Sequence, residues 1–256
     1  MTALEPYWDA DPLSEILKNA EYNTKANALM HPNVFALLRE VHAAFGTLEA
    51  VAERHGGVPL IIPRFLGGRV HAAFVGATRL VLAGEQVEAC AVVRQMIEQA
   101  WYALHIAQDS AARTTIWLSR NDSDASLKAM KSEFTVSNVS KTHANLDATT
   151  EKELHRIYEM TIDYGGHPNP RALFGALRQT ETETDTTFNV GILWPDPLPM
   201  MHVVRLAVSA AVGAFKIYQL IFPSELTTAG FGGQVDSLVG GLNTVFKQYA
   251  PPPRNP

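Results

Sequence analysis

The chain has 256 residues, of which 46% are hydrophobic and 18% are charged, and its formal net charge is −5. This composition excludes a largely disordered protein, and the acidic balance gives no overall positive field for nucleic acid or anionic lipid. The one cysteine, Cys90, excludes an internal disulfide framework and a cysteine-rich zinc site, and it suits a reducing compartment. We therefore predict a cytoplasmic protein. The start of the chain carries Glu5, Asp9 and Asp11 in place of a basic segment followed by an apolar run, so we also predict no signal peptide.

Helical periodicity covers most of the chain, beginning with residues 33–54, where apolar residues recur every three to four positions. Two further runs, 70–82 and 86–108, are apolar around most of their circumference, which is typical of helices at the centre of a bundle. Helices are also predicted from a Thr150 cap to Gly165, and over 171–178 and 235–249. We predict an all-α fold, a single helical bundle of six to eight helices that forms one domain, residues 1–256.

The segment 200–222 is the most membrane-like stretch, but Arg205 and Lys216 interrupt it. We therefore predict a buried helix and no membrane association. Four segments are expected to lie outside the bundle: residues 1–30 as an N-terminal arm, 251–256 as a tail, and 120–146 and 179–199 as loop excursions. The first excursion is rich in Ser, Asn, Asp and Lys, which favours an exposed segment with at most a short helix. The second contains a strand-like stretch, 186–194, which favours a hairpin or an extended loop.

One polar stripe interrupts the apolar helix 86–108. At 100° per residue, four side chains fall within a sector of roughly 60°: Arg94, Glu98, Trp101 and His105. An unpaired charge in a buried helix is costly, so Arg94 and Glu98 are expected to pair. The stripe fits either an internal ion pair that fixes the helix register or a site that faces a cleft, and the spacing leaves both open.

A second polar constellation is the run Tyr164-Gly165-Gly166-His167-Pro168, in which a histidine lies between the end of one predicted helix and the start of the next. Such a junction places a titratable imidazole beside helix-terminal dipoles. His202 and Arg205 share a face of the helix 200–222 and form a third polar group. The candidate ligand-binding residues are therefore His105, Trp101, Tyr164, Arg205 and His202.

The run 87–102 with Arg94 and Glu98, followed by Tyr158 and the turn 164–168, resembles a family of uncharacterised bacterial all-helical proteins. Its marks are an Arg-x-x-x-Glu helix and a later His-Pro turn. That family is similar in outline to the HEPN proteins, helical bundles that include many ribonuclease toxins and abortive-infection proteins. The resemblance spans roughly residues 60–220, and it implies a bundle in which Arg94, Glu98 and His167 converge as catalytic residues.

The chain departs from the active HEPN ribonucleases, which carry an arginine, four to six further residues and then a histidine on one helix. The one formal match runs from Arg64 to His71, with Phe65 where a polar residue is expected and with two glycines inside. Catalysis would therefore have to combine Arg94 with His167 or His105.

Known metal-binding patterns are missing from the sequence. No Glu-x-x-His pair is present for a di-iron bundle, and an EF-hand spacing that starts at Asp122 has Leu127 where the loop needs glycine. His155 and Glu159 lie one helical turn apart, a spacing more typical of a surface contact. We predict no metal and no cofactor.

Three functions fit these observations. The first is an HEPN-like ribonuclease or toxin-type enzyme that acts on RNA or nucleotides. The second is a binding module for a small anionic or polar ligand, anchored by Arg94 and Arg205. The third is a non-catalytic structural or oligomerising helical protein, and a homo-oligomer is compatible with each of them.

Overall fold

The computed structural model describes residues 11–166, 170–175, 177–181, 185–194 and 196–249. Within these ranges the chain forms twelve α-helices and one two-stranded antiparallel sheet, so the prediction of an all-α protein with a hairpin is confirmed. The predicted number of six to eight helices is wrong, because segments that were expected to be loops also form helices.

The helices of the described residues follow one another in chain order. They are α1 (Pro12–Met30), α2 (Pro32–His55), α3 (Ile61–Ala83), α4 (Gln86–Gln108), α5 (Ser110–Leu118), α6 (Asp124–Glu133), α7 (Val136–Ala144), α8 (Ala148–Thr161), α9 (Pro170–Gly175), α10 (Pro197–Ile221), α11 (Pro223–Thr228) and α12 (Phe231–Phe246). Strands β1 (Leu177–Glu181) and β2 (Thr186–Val190) pair in antiparallel register. Most of the described helices are joined by short connections, whereas α9 and α10 are joined through the two strands. A π-helical turn, Ile162–Gly166, follows α8.

The core is centred on α4 and α10, as the apolar circumference of both segments predicts. Trp101 of α4 and Phe215 of α10 are fully buried, and α3 and α8 pack against both helices. The predicted bounds of α4 are correct. The last residue of α3 is Ala83, and Gly84 caps this end with a φ of +102°, a left-handed conformation that suits glycine. One cluster of buried apolar residues connects these four helices with α2 and α12.

Within the part of the chain that the structure describes, two helical stretches are long and apolar enough to cross a membrane by length and composition alone. They are Pro197–Ile221, with a mean hydropathy of 1.5, and Val58–Ala83, with a mean hydropathy of 1.2. In the first, 72% of the apolar window is buried inside the fold, which agrees with the predicted buried helix. In the second this share is 33%, so α3 keeps an exposed apolar side.

The expected excursion at 120–146 is wrong, because this segment forms α6 and α7. Three of its apolar side chains, Met130, Phe134 and Val139, are buried, and polar bonds to α4 add further contacts. In the expected N-terminal arm, residues 12–30 form α1, which packs against α3. Residues 1–10 and the expected tail 251–256 lie outside the described residues.

Two predicted helix ends also shift. The N-cap of α8 is Asp147 and not Thr150: the Asp147 carboxylate accepts the backbone N–H of Thr150 at 3.0 Å and its hydroxyl at 2.6 Å. A carboxylate caps a helix at least as well as a hydroxyl, so the helix begins three residues earlier. The helix expected over 171–178 ends at Gly175, because Leu177 already begins β1.

Candidate functional site

Arg94 and Glu98 form an ion pair on α4, one helical turn apart. Arg94 Nε donates to Glu98 Oε1 at 3.0 Å, and the hydroxyl of Tyr158 on α8 donates to the same oxygen at 3.0 Å. The two charged side chains are 29% and 31% exposed. The pair therefore lies at the edge of the core, where water reaches it, and it is not fully buried.

Tyr158 holds both members of this pair. Its ring lies beneath the Arg94 guanidinium, 5.3 Å from Cζ to the ring centroid, while its hydroxyl binds Glu98. Burial and the charge of Glu98 raise the pKa of Tyr158, so its hydroxyl keeps its proton at neutral pH. The sequence placed Tyr158 on the apolar face of its helix and did not assign it to the site. A signal was present, since this tyrosine belongs to the pattern that carries the family resemblance.

Trp101 and His105, the other members of the predicted stripe, turn inward beneath α7. Trp101 is fully buried and donates Nε1–H to Nδ1 of His143 at 3.2 Å. His105 is 2% exposed, and its two ring nitrogens contact Thr142 Oγ1 at 2.7 Å and Glu133 Oε1 at 3.0 Å. The structure therefore does not bring His105 together with Arg94. A ligand could reach His105 only by displacing these contacts.

His202, Tyr164 and Arg205 form a second group beside the end of α8. The rings of Tyr164 and His202 are 4.7 Å apart, and Nε2 of His202 is buried without a hydrogen-bond partner among the described residues. Burial, followed by the charges of Arg205 and Arg156, lowers the pKa of His202. The imidazole is therefore neutral at pH 7 and lies in a locally positive field, although the chain as a whole is acidic.

His167 lies outside the described residues, so its predicted convergence with Arg94 and Glu98 stays a prediction. The turn that precedes it is described up to Gly166. There, Gly165 has a φ of +152°, and a Cβ at this position would collide with the backbone carbonyl of Val87 on α4. The π turn thus approaches α4 as closely as a glycine permits, two turns before Arg94.

No group of three His, Cys, Asp or Glu side chains in the described ranges is arranged to hold a metal ion. Residues 124–133 of the EF-hand spacing form α6, so they do not make a calcium loop. His155 lies 3.3 Å from Glu151 and 3.7 Å from Glu159 along one side of α8.

Arg64 and His71, the two residues of the formal HEPN match, have different partners in the structure. His71 contacts Glu49 and His42, each at 2.8 Å, whereas the nearest acidic partner of Arg64 is Glu53, at 3.9 Å.

No protein-family model, no curated protein and no solved structure matches the chain.

Proposed function

We propose that Arg94, Glu98 and Tyr158, together with His167, form the active site of an HEPN-like enzyme that acts on RNA or nucleotides. The observation that carries this proposal is the partial exposure of the Arg94–Glu98 pair and its fixation by a hydroxyl from a second helix. A pair that is held by a side chain of a second helix and still reached by solvent is preorganised for a ligand, which is what catalysis by charged groups requires.

These groups suit cleavage of an RNA phosphodiester without a metal. A carboxylate in the position of Glu98 takes the proton of the ribose 2′-OH, and the 2′-oxygen then attacks phosphorus. The protonated imidazole of His167 donates its proton to the departing 5′-oxygen, so a 2′,3′-cyclic phosphate and a free 5′-hydroxyl result. The guanidinium of Arg94 stabilises the negative charge that develops on the phosphoryl oxygens. This chemistry needs the 2′-OH and therefore excludes DNA as a substrate.

The group around His202 supports the same proposal. Arg205 and Arg156 supply positive charge beside an uncharged imidazole that lacks a partner within the described part of the chain. Phosphate binding needs such local charge, and it does not need a positive charge on the whole protein.

The experiment compares the purified full-length chain and its variants on a labelled single-stranded RNA and on the DNA of the same sequence. We expect the RNA to be cleaved to 2′,3′-cyclic phosphate ends and the DNA to stay intact. Removal of a general base typically costs about 10²–10⁴-fold in rate, so Glu98→Gln should lose activity on that scale. Glu88→Gln, an exposed position on the same helix, is the matched control and should retain full activity.

A second function, a binding module for a small anionic ligand, is favoured by the buried Nε2 of His202, which has no hydrogen-bond partner among the described residues and feels the positive charges of Arg205 and Arg156. It predicts that nucleoside monophosphates bind without turnover, and that Arg205→Ala weakens this binding. Cleavage that persists in Glu98→Gln would contradict the proposed active site, and the absence of both cleavage and binding would contradict both functions.

A further inference from the structure

A hydrogen-bonded chain of three side chains connects α2 and α3, away from the site on α4 and α8. Glu49 Oε1 lies 2.8 Å from Nδ1 of His71, and Nε2 of His71 lies 2.8 Å from Nδ1 of His42. The two histidines are 29 positions apart on separate helices, which is why no spacing in the sequence reveals the cluster. From this geometry we propose that His42 and His71 bind a divalent transition-metal ion such as Zn²⁺ or Cu²⁺.

The orientation of His71 is fixed before any ligand arrives. Its ring stacks on the fully buried ring of Phe45, with centroids 4.7 Å apart and planes inclined by 8°. Glu49 accepts the Nδ1–H of the same imidazole, so in the neutral ring the lone pair of Nε2 points toward His42. A carboxylate that holds the far nitrogen is the partner that metal-ligating histidines commonly have, and it raises the basicity of the ligand.

The separation of the two facing nitrogens fits a shared ion after a small adjustment. Two Zn–N bonds of about 2.0–2.1 Å at a tetrahedral angle place the nitrogens roughly 3.3 Å apart. The observed 2.8 Å therefore has to widen by roughly 0.5 Å, and His42 can supply this movement because it is exposed on α2. In the absence of an ion, a proton shared by the two imidazoles occupies the same space.

The two imidazole ligands determine which class of metal ion the site favours. Neutral imidazole suits Zn²⁺, Cu²⁺ and Ni²⁺, whereas Mg²⁺ and Ca²⁺ prefer oxygen ligands. Solvent completes the coordination, so the site is open and does not act as a structural metal centre. Glu49 also lines a cavity of about 230 Å³ between α2 and α3, which gives solvent or a small ligand access to this side of the cluster.

The experiment titrates Zn²⁺ into the full-length chain without an affinity tag, by isothermal calorimetry, and records the electron paramagnetic resonance spectrum of the Cu²⁺ form. We expect one ion per chain and a Cu²⁺ spectrum with coordination by two nitrogens. His42→Ala and His71→Ala should abolish this binding. Glu49→Gln should weaken it by about 10–100-fold, because it removes the carboxylate behind a ligand.

His155→Ala is the matched control, because His155 is a partly exposed histidine that also contacts carboxylates, those of Glu151 and Glu159, and the variant should bind Zn²⁺ like the parent. His42 is exposed, so His42→Ala decides the question even where His71→Ala disturbs the packing against Phe45. The proposal is overturned by a parent chain that binds no Zn²⁺, by binding that survives His42→Ala, or by binding that is lost in His155→Ala.

Discussion

A partly exposed ion pair responds to mutation differently from a buried one, and Arg94 with Glu98 is of the first kind. Loss of one partner of a buried pair costs about 3–5 kcal/mol, whereas exposed pairs contribute about 0–1 kcal/mol. Since both side chains are about one third exposed, we expect Arg94→Ala to lower the free energy of unfolding by about 1 kcal/mol. RNA cleavage or nucleotide binding should be abolished in the same variant.

Urea denaturation and an RNA cleavage assay on the same preparation check this prediction. The double variant Arg94→Leu with Glu98→Leu is the control, because it removes both charges together. If the pair only stabilises the fold, Arg94→Ala should lose much of the stability and the double variant should regain it. That result would contradict a functional site at this position and support the structural function.

His143 gives the fold a pH dependence with a definite sign. Burial lowers its pKa from the ordinary 6.5 to about 4, against the opposing charge of Asp147. Nδ1 of its ring accepts the bond from Trp101, and Nε2 has no hydrogen-bond partner in the described chain, so protonation would break a buried contact and charge the core.

The unfolded chain binds a proton on His143 below pH 6.5 and the folded chain does so only near pH 4. The free energy of unfolding is therefore highest above pH 6.5. As the pH falls toward 4, the titration of His143 lowers it by up to about 3 kcal/mol. We expect His143→Gln, whose amide oxygen can still accept from Trp101, to flatten the dependence of the urea midpoint between pH 7 and 4. His55→Gln, at the exposed end of α2, should leave the slope unchanged, and an equally steep slope in His143→Gln would refute the assignment.

At the scale of elements, the sequence predicts helices well where apolar residues repeat and poorly where polar contacts dock the helix. The bounds of α4 were predicted to the residue, and α2 within one residue at each end, because both present a continuous apolar face. By contrast, α6 and α7 bury only a few apolar side chains and are also held by polar bonds from α4 and α5. Tyr102 of α4 donates to the carbonyl of Phe134, which follows α6, at 2.9 Å, and Arg113 of α5 donates to Glu133 of α6 at 3.0 Å. Such contacts join residues distant in sequence and leave no periodic signal.

This docking can be tested through Tyr102. Tyr102→Phe keeps the ring against Phe134 and removes one partly buried hydrogen bond, which typically contributes about 0.5–1.5 kcal/mol. We expect faster hydrogen–deuterium exchange of the amides in α6 and α7, with exchange in α10 unchanged. Tyr22→Phe, on the exposed side of α1, is the control and should change neither region. Uniform acceleration across all helices would show that α6 and α7 are not a separately docked unit.

At the scale of the whole molecule, composition and periodicity predict the class, the central helices and the hairpin, but not how the helices approach one another. The pairing of Arg94 with Glu98 follows from their spacing on one helix. The contact of Tyr158 with this pair cannot be predicted from the sequence, because it depends on the distance between α4 and α8. The cluster of Glu49, His71 and His42 cannot be predicted either, because it depends on how α2 and α3 approach each other.

The approach of α8 to α10 depends on one glycine. A Cβ on Gly213 would lie 2.6 Å from Cγ of Leu154, which is 1% exposed and sits one turn before Tyr158. We therefore expect Gly213→Ala to separate the two helices and to destabilise the protein by about 1–3 kcal/mol, the usual cost of overpacking a core. Gly46→Ala on α2 is the control. No atom lies within 4 Å of its Cβ position, so it should raise stability by up to about 1 kcal/mol through helix propensity.

A double-mutant cycle with Leu154→Ala separates this steric contact from a general loss of packing. Leu154→Ala alone leaves a cavity and should cost about 2–5 kcal/mol. In the double variant the new methyl group enters the vacated space, so the loss should be smaller than the sum of the two single losses. If the two losses simply add, or if Gly213→Ala is as stable as the parent, the new methyl group does not clash with Leu154. In that case α8 lies farther from α10 than the 2.6 Å between that Cβ position and Leu154 Cγ implies. The position of Tyr158 against Arg94 and Glu98 would then have to be revised as well, because the same helix carries it.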